Sequence, residues 1–434
     1  MSKAGCIAIA TGIILLLASL AFAEAPHPIG WPQQIGTAQD DSGHSVAVDA
    51  GSNVYLSGAT DGYLAETGGG FGDAFVAKYD QAGNRIWIHQ LGTREKDYSK
   101  SIAVDAWGNA FIGGATYGYI GPGTRGSSYD AFVAKYDAAG NFAWARQAGA
   151  GGWDICECVT ADPFGNVYVT GYTEGSLFTP SLGNTDAFLA KYDPAGNILW
   201  SRQFGSSSGD WAYCAAGDRS GNVYVTGTTN GNLGGTNPNP MWSDAFLVKY
   251  DSNGDQKWAR QIATTSTDQG YGVATDASGN AYVTGYTGGS LGGTNPQPGS
   301  ADPFLIKYDA DGNLVWAREL GTSINDYGRS VVVDVNGNIL VAGHTSDSDA
   351  LLFKYDSEGN LLWSQILGTP AYDEAYGVAV DGWGRAYVSG RTYGSLAGAN
   401  IGGQDAFLIQ FIPEPAALSL LALGGVAMIR RKRK

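Results

Sequence analysis

The sequence is poor in charged residues, and its few charges are mostly acidic. Only 15% of its 434 residues are charged, and 41 Asp and Glu outnumber 26 Lys and Arg, so the formal net charge is −15. Because proteins recognise the phosphate backbone mainly through basic side chains, this balance argues against nucleic acid as a partner. It is compatible with polyvalent cations, or with a polysaccharide matrix that cations bridge.

Recognisable catalytic motifs are also lacking. The four histidines, His27, His44, His89 and His344, occupy unrelated positions, and we find no metal-binding histidine cluster, nucleophile elbow or phosphate-binding loop. We therefore predict a protein that is not an enzyme and needs no cofactor. Two alternatives stay open: a glycan-active lyase or hydrolase on the same scaffold, and a purely structural matrix protein.

Cysteine is too rare to suggest a disulfide framework. After Cys6, the chain contains only Cys156, Cys158 and Cys214. Cys158 and Cys214 occupy equivalent places in neighbouring repeats, where the other repeats have Ser or Gly. The simpler interpretation is a position that requires a small residue, and the alternative is a bridge.

The sequence is instead rich in one repeated stretch, DAFLAKYDPAGNILWSRQFG at residues 186–205. Copies of it start at Asp73, Asp130, Asp186, Asp244, Asp302, Asp349 and Asp405, and the last is truncated to DAFLIQF. Self-similarity at such a period indicates a repeat architecture. Each unit reads as four short strands; in the second unit they are residues 101–105, 109–114, 130–136 and 141–148.

Two turns in each unit share one chemistry, Asp-x-x-Gly-Asn. Gly supplies the positive φ that closes a tight hairpin, and Asp bonds the turn backbone. The turn at residues 309–313 resembles a calcium loop, but the downstream Glu is absent, so we interpret it as a turn.

Seven four-stranded units predict an all-β fold, a seven-bladed β-propeller with four antiparallel strands in each blade. The last unit stops at Phe411 without its Trp strand, whereas residues 31–36 form a Trp strand before the first complete unit. We therefore expect the N-terminal strand to complete the last blade and close the ring. We expect the seven aligned tryptophans to pack the blades: Trp31, Trp87, Trp144, Trp200, Trp258, Trp316 and Trp363.

The strand Asn-Val-Tyr-Val-Thr-Gly at residues 166–171, followed by Asp-Ala-Phe-Leu-x-Lys-Tyr-Asp and the Gly-Asn turn, resembles the bacterial SBBP (seven-bladed β-propeller) repeat. The resemblance covers residues 31–411. It implies the fold and supplies no catalytic residues, because propellers host many functions.

The N-terminus, residues 1–23, is predicted to be a signal peptide. Lys3 is followed by an apolar run at residues 7–20 and by a small-x-small cleavage site at Ala21 and Ala23. This predicts signal peptidase as a partner during export and leaves residues 24–412 for the propeller. A retained membrane anchor is the alternative.

The C-terminus, residues 413–434, contains Pro413, Glu414 and Pro415, then fourteen mostly apolar residues and a basic tail at residues 430–434. A helix of that length is shorter than a bilayer core. The order resembles the PEP-CTERM sorting signal. The resemblance implies an exosortase as a second partner, transient membrane contact through the C-terminal helix, and release to the cell surface or extracellular matrix of a Gram-negative bacterium. A plain tail anchor is the alternative.

One aspartate precedes the innermost strand of every unit, eight residues before the first turn: Asp41, Asp97, Asp154, Asp210, Asp268, Asp326 and Asp373. If they ring the channel mouth, they form a candidate metal site for calcium; the alternative is that each caps backbone NH groups.

The connections between second and third strands lie on the same face and are long except in the sixth unit, so this is the expected binding face. Trp153, Trp211 and Trp242, near this face, are weak candidates for glycan binding. Together these features predict an exported surface or matrix interaction module that binds polysaccharide or surface proteins.

Overall fold

The structure is a computed structural model, and it describes residues 29–65, 72–291, 300–320, 325–347 and 349–412. The predicted signal peptide, with Ala21 and Ala23, lies outside the described residues. The predicted sorting segment, with Pro413, Glu414 and Pro415, does so as well. The described part of the chain contains no helix long and apolar enough to cross a bilayer.

Twenty-eight strands form seven four-stranded antiparallel sheets, which are the blades of a propeller. Blade 1 contains β2 (Asp41–Val48), β3 (Val54–Thr60), β4 (Asp73–Tyr79) and β5 (Arg85–Leu91); blade 2 contains β6 (Asp97–Val104), β7 (Ala110–Thr116), β8 (Asp130–Tyr136) and β9 (Phe142–Ala148). Blade 3 contains β10 (Asp154–Ala161), β11 (Val167–Thr173), β12 (Asp186–Tyr192) and β13 (Ile198–Phe204); blade 4 contains β14 (Asp210–Gly217), β15 (Val223–Thr229), β16 (Asp244–Tyr250) and β17 (Gln256–Ile262). Blade 5 contains β18 (Asp268–Thr275), β19 (Ala281–Thr287), β20 (Asp302–Tyr308) and β21 (Leu314–Glu319); blade 6 contains β22 (Asp326–Val333), β23 (Ile339–Thr345), β24 (Ala350–Tyr355) and β25 (Leu361–Leu367). Blade 7 contains β26 (Asp373–Val380), β27 (Ala386–Thr392), β28 (Asp405–Phe411) and β1 (Ile29–Ile35).

The ring closes as predicted, through the N-terminal strand. β1 pairs antiparallel with β28, and Ile35 lies opposite Ala406. Side chains strengthen this pairing, since the Gln34 amide donates to the Asp405 carboxylate at 2.7 Å and to the Gly394 carbonyl at 2.9 Å. The last blade therefore joins the two ends of the propeller, and β1 covers the edge that β28 would otherwise leave unpaired.

The innermost strands begin earlier than the sequence pattern predicted. In blade 2, β6 starts at Asp97, whereas the prediction started at Ser101. The reason is a β-bulge, because the pairing of β6 with β7 shifts register between Ser99 and Ser101 and leaves Lys100 unpaired. The extra residue interrupts the period-2 alternation by which a strand is recognised in a sequence.

The hydrophobic core lies between neighbouring blades. The third strands β8, β12 and β16 are buried along their whole length, so both faces of these strands are covered. Buried clusters span two blades; Tyr55 of blade 1, for example, packs with Ile112 and Phe132 of blade 2. Each blade is thus stabilised by its neighbours, as in other repeat architectures.

The repeated tryptophans join each outer strand to the next blade. Trp144 Nε1 donates to the Pro194 carbonyl at 3.1 Å, and Trp200 Nε1 donates to the Ser252 carbonyl at 3.0 Å. Trp31 does the same across the closing seam, to the Gln81 carbonyl at 3.0 Å. These contacts place the tryptophans in blade packing, where the sequence predicted them.

Candidate ligand site in the central channel

Every innermost strand carries the same β-bulge, three residues after its first aspartate. The register shifts occur at Gly43/Ser45 in blade 1 and at equivalent pairs in the other six blades. A bulge leaves one residue unpaired and re-aims its side chain. The seven bulged residues are His44, Lys100, Glu157, Tyr213, Tyr271, Arg329 and Tyr376.

These seven side chains line one cavity, with one contribution from each blade. Because the innermost strands of neighbouring blades contact one another around the ring, this cavity is the central channel. Its volume is about 360 Å³, within the range of small-molecule sites. The chain has thus brought together seven residues that are about fifty residues apart in sequence.

Aromatic rings form a continuous series on one side of the channel. The ring centroids of Tyr213 and Tyr271 are 5.3 Å apart, those of Tyr271 and Tyr286 are 5.9 Å apart, and those of Tyr286 and Tyr327 are 5.1 Å apart. His344 stacks on Tyr327 at 5.1 Å. Such spacings fix ring orientation, so this side of the channel is preorganised.

The hydroxyl groups of the lining tyrosines are protonated at neutral pH. Burial raises the pKa of Tyr213, Tyr271 and Tyr376 above its ordinary value. The Tyr271 hydroxyl donates to Gln269 Oε1 at 2.6 Å, and the Tyr376 hydroxyl donates to the Glu374 carboxylate. The tyrosines therefore offer the channel neutral hydroxyl groups and ring faces.

Two cations beside the channel are paired with carboxylates, and a third is not. Lys100 Nζ lies 3.7 Å from Glu157 Oε2, and Arg391 Nη2 lies 2.5 Å from Glu374 Oε2. Arg329 has no carboxylate within ion-pair distance in the described part of the chain. Its guanidinium instead lies 4.4 Å from the ring centroid of Tyr271 and 5.6 Å from that of Tyr327.

Arg329 also retains an unused hydrogen-bond donor. Its Nε atom is buried and has no partner among the described residues. The cation–π contacts hold the guanidinium in place without neutralising its charge. In a protein that is acidic overall, this arrangement leaves one positive charge directed at the channel.

His44, which lines the channel, and His344, which stacks on Tyr327, are uncharged at neutral pH. Burial lowers the pKa of His44 to about 4, and burial likewise lowers that of His344 to about 4. His44 Nδ1 lies 2.6 Å from the Ser99 carbonyl oxygen, which can only accept, so Nδ1 carries the proton. Neither histidine contributes charge to the channel.

The seven predicted metal-site aspartates, Asp41, Asp97, Asp154, Asp210, Asp268, Asp326 and Asp373, are all buried at the starts of the innermost strands. At six of them a carboxylate oxygen accepts from the backbone NH four residues earlier, as Asp154 does from Ala150 at 2.6 Å. The other oxygen of Asp154 accepts from the Thr173 hydroxyl. This is the geometry of backbone capping. Among the described residues, no group of three or more His, Cys, Asp or Glu side chains is arranged to hold a metal ion.

Each of these aspartates has a second aspartate beside it, from the third strand of the preceding blade. The backbone NH of Asp154, for example, donates to the Tyr129 carbonyl next to Asp130. Burial raises the pKa of Asp154 to about 6, and the charge of Asp130 adds to the rise. Asp268 has the same shift to about 6, again from burial with a smaller contribution from Asp244. The aspartate pairs therefore lie in the seams between blades.

The connections between second and third strands are held against their own blades where the structure describes them. The Leu64 backbone NH donates to Gln90 Oε1 at 3.1 Å, and Gln90 Nε2 donates to Asp73 at 2.7 Å. Gln147 and Gln203 repeat this arrangement in the next two blades. In the sixth blade β23 and β24 are separated by only four residues, which is the short connection that the sequence predicted.

In the described part of the chain, no ring contact joins two of the three candidate glycan-binding tryptophans. Trp153 and Trp242 are exposed, and Trp211 is half-buried. Trp153 makes its ring contact with Tyr129, edge to face at 6.2 Å between centroids.

The cysteines occupy crowded positions between innermost strands. Cys156, Cys158 and Cys214 are free thiols, and the sulfur atoms of Cys158 and Cys214 lie 3.7 Å apart. At the equivalent place in blade 5, a Cβ added to Gly272 would lie 3.2 Å from the Cα of Ser330. Because neighbouring atoms lie so close, this position has room only for a small side chain.

The sequence interpretation missed the channel residues. Their signal was present, because the residue three places after each first aspartate changes from blade to blade while the aspartate itself is constant. A position whose residue type differs from blade to blade is not required for the packing that all blades share. His44 and His344 were noted only as unrelated histidines, yet His44 lines the channel and His344 stacks on Tyr327, which contacts Arg329.

Comparisons with known proteins agree with this architecture. Six segments match the family described as "SBBP: Beta-propeller repeat": residues 86–122, 143–179, 199–234, 257–292, 315–349 and 362–397, together half of the chain. A WD repeat-containing protein, L264 of Acanthamoeba polyphaga mimivirus, is 24% identical over 73% of this chain and 31% of its own length. The regulatory protein FlaEY of Caulobacter vibrioides is 28% identical over 38% of this chain and 18% of its own length. This chain thus spans about a third or less of these curated relatives.

The fold is also similar to a solved structure, the WD40 domain of Neurospora crassa Pan2. The TM-score is 0.52 at 10% sequence identity, and the match covers 90% of this chain and 99% of the other. At that identity the likeness concerns the fold alone. With seven four-stranded blades and six matching segments, the chain belongs to the SBBP β-propeller repeat family.

Proposed function

We propose that this protein is an exported, non-enzymatic propeller that acts as an interaction module at the cell surface or in the extracellular matrix of a Gram-negative bacterium. Its binding site is the central channel. Signal peptidase and an exosortase process the two ends, and the ligand is a polysaccharide or a surface component. The relatives are propeller and WD-repeat proteins, which supports a role as an interaction scaffold.

One observation carries this proposal: the residues that the seven blades direct into the channel differ in chemistry from blade to blade. The flanking residues are shared, with an aspartate three places before and a Ser, Cys or Gly one place after. Blade packing needs the shared residues. The varied set of tyrosines, cations and one glutamate is what a binding site needs and what symmetric packing does not.

The terminal segments support export. An apolar run with a small-x-small site precedes the propeller, and Pro-Glu-Pro, an apolar stretch and five basic residues follow it. Intact-mass analysis of secreted protein tests this part. We expect a chain that begins near Glu24 and ends close to Pro413. Secreted protein that still carries residues 430–434 would rule out exosortase processing.

A binding experiment tests the interaction role. Protein purified from the culture medium is added to extracellular matrix from a strain that lacks it, and we expect saturable binding. The double variant Tyr213→Ala/Tyr271→Ala should bind at least about tenfold more weakly, because both rings line the channel. Trp383→Ala is the control, since Trp383 is 76% exposed in the turn between β26 and β27, on the opposite face.

The same material separates the alternatives. Release of shortened saccharides from the matrix would identify a glycan-active enzyme and contradict the proposal. Absence of saturable binding would favour the purely structural protein. Equal binding by the channel variant and the wild type would place the interaction elsewhere on the surface.

A further inference from the structure

We infer that the channel binds a carboxylate-bearing sugar, a hexuronic acid unit, with Arg329 as the group that holds its carboxylate. This inference rests on the proposed function and names the ligand class of the same site. Three features support it: the positive charge of Arg329 has no carboxylate partner, its guanidinium is planar, and tyrosines line the rest of the channel.

The charge balance of the channel calls for one negative charge. Lys100 is paired with Glu157 and Arg391 with Glu374, so these four groups neutralise one another. His44 and the nearby His344 are neutral at pH 7. Among the described channel residues, Arg329 alone supplies a positive charge without a carboxylate partner, and the carboxylate of a ligand would provide that partner.

The form of the cation favours a carboxylate. A guanidinium is planar and binds a carboxylate through two parallel hydrogen bonds. The Arg329 guanidinium lies beside the rings of Tyr271 and Tyr327, and its Nε has no partner among the described residues. A phosphate carries about −1.5 to −2 charges at neutral pH and would require a second unpaired cation, which the described channel residues do not provide.

The remaining groups favour a sugar ring as the body of the ligand. The cavity of about 360 Å³ has room for far more than a carboxylate. Tyr213 of blade 4 and Tyr376 of blade 7 also line it and supply aromatic rings against which an apolar sugar face can pack. The Tyr213 hydroxyl can donate to a sugar hydroxyl, and the Tyr376 hydroxyl, which already donates to Glu374, can accept from one.

The test uses secreted, full-length mature protein and three probes: glucuronate, glucose and inorganic phosphate. Titration calorimetry or ligand-observed NMR measures binding. We expect glucuronate to bind at least about tenfold more tightly than glucose, the gain that a charge-assisted bidentate contact provides. Equal affinity for the two sugars, or tighter binding of phosphate than of glucuronate, would overturn the inference.

Variants locate the contact. Arg329→Gln should weaken glucuronate binding at least about tenfold and leave the weak glucose binding unchanged. Arg329→Lys should recover part of the loss, which a merely misfolded variant could not do. Arg219→Gln removes an equal charge from an exposed turn on the opposite face and should leave binding intact. Unchanged glucuronate affinity in Arg329→Gln would contradict the assignment.

Failure of this inference is distinguishable from failure of the proposed function. If glucuronate does not bind but the secreted protein still binds matrix through the channel, only the ligand class is wrong. If glucuronate binds through Arg329 while matrix binding is absent, the ligand class stands and the matrix role fails.

Discussion

Trp200 of blade 3 lies against Gly254 in the outer turn of blade 4, and a Cβ on Gly254 would be only 2.8 Å from the indole ring. Gly254 also has a φ of +79°, a conformation that favours glycine. The same contact recurs around the ring, with Gly196 against Trp144 and Gly312 against Trp258. The glycine of this turn therefore serves both the hairpin and the neighbouring blade.

The first prediction separates these two roles. Gly337 has a φ of +81° but no atom within 4 Å of an added Cβ, so Gly337→Ala should cost about 1 kcal/mol of backbone strain alone. Gly254→Ala should cost about 1–3 kcal/mol more, because the methyl group overlaps the indole. Urea unfolding measures both. In a Trp200→Ala background the extra cost should vanish, and a persistent extra cost would refute the contact as its cause.

The second prediction concerns ring closure. Deleting residues 29–36 removes β1, including the Trp31 contact to Gln81 and the Gln34 contact to Asp405, and exposes the edge of β28. We expect a large fall in melting temperature and aggregation through the open edge. Trp200→Ala is the comparison, since it removes an equivalent half-buried indole while the ring stays closed, at a cost of about 2–4 kcal/mol. Equal melting temperatures for deletion and wild type would mean that the ring does not depend on β1.

The third prediction is a dependence of stability on pH. Burial raises the pKa of Asp154 to about 6, above the unfolded value near 3.9. The folded state then binds more protons than the unfolded state between about pH 4 and 6, so stability falls as the pH rises through this window. The unfolding free energy of Asp154→Asn, taken relative to that of wild type, should therefore rise by about 1–2 kcal/mol as the pH goes from 4.5 to 7.

An exposed turn aspartate provides the control for that measurement. Hydrogen bonds from Asn197 lower the pKa of Asp193. Ionised Asp193 therefore stabilises the folded state above the unfolded pKa, and this stabilisation is lost as the pH falls through the folded pKa. Asp193→Asn should therefore change the profile only below about pH 4. The buried histidines act in the opposite direction to Asp154, and the comparison of matched variants removes their effect. If the unfolding free energies of Asp154→Asn and wild type differ by the same amount at every pH from 4.5 to 7, the pKa of Asp154 is not raised.

The fourth prediction concerns calcium. The first aspartates of the innermost strands already accept hydrogen bonds within their own blades, as Asp154 does from Ala150 and Thr173. We therefore expect millimolar calcium to leave the melting temperature unchanged. A rise that disappears in Asp154→Asn/Asp210→Asn would instead establish the calcium ring, since ligand binding to the folded state raises its stability.

Much of the fold was predictable from particular residues. The Trp strand before the first unit and the missing one after Phe411 predicted closure by β1, because hydrogen-bonded edges must be satisfied by pairing. The constant Gly of the outer turns predicted positive φ, and the structure shows it at Gly254 and Gly312. The predicted strand starts were less accurate. The bulge at Lys100 interrupts the alternation of the strand, so the first four residues of β6 were not recognised.

The candidate site was less predictable. The aspartates of the innermost strands admitted two interpretations, and only the positions of the Ala150 NH and the Thr173 hydroxyl show the cap at Asp154. Arg329 gave no sign in the sequence that it would lack a carboxylate. One of the two rings beside it, Tyr271, comes from the neighbouring blade, and no local pattern relates residues so far apart in the chain.

The sequence by itself determined the number of blades, the chemistry of their turns and the strand that closes the ring, because each depends on local patterns that recur along the chain. Only the tertiary structure decided what the variable residues do. Seven bulges aim His44, Lys100, Glu157, Tyr213, Tyr271, Arg329 and Tyr376 into one channel. Which of their charges meet a partner depends on distances across the ring, and those distances exist only when all seven blades are assembled.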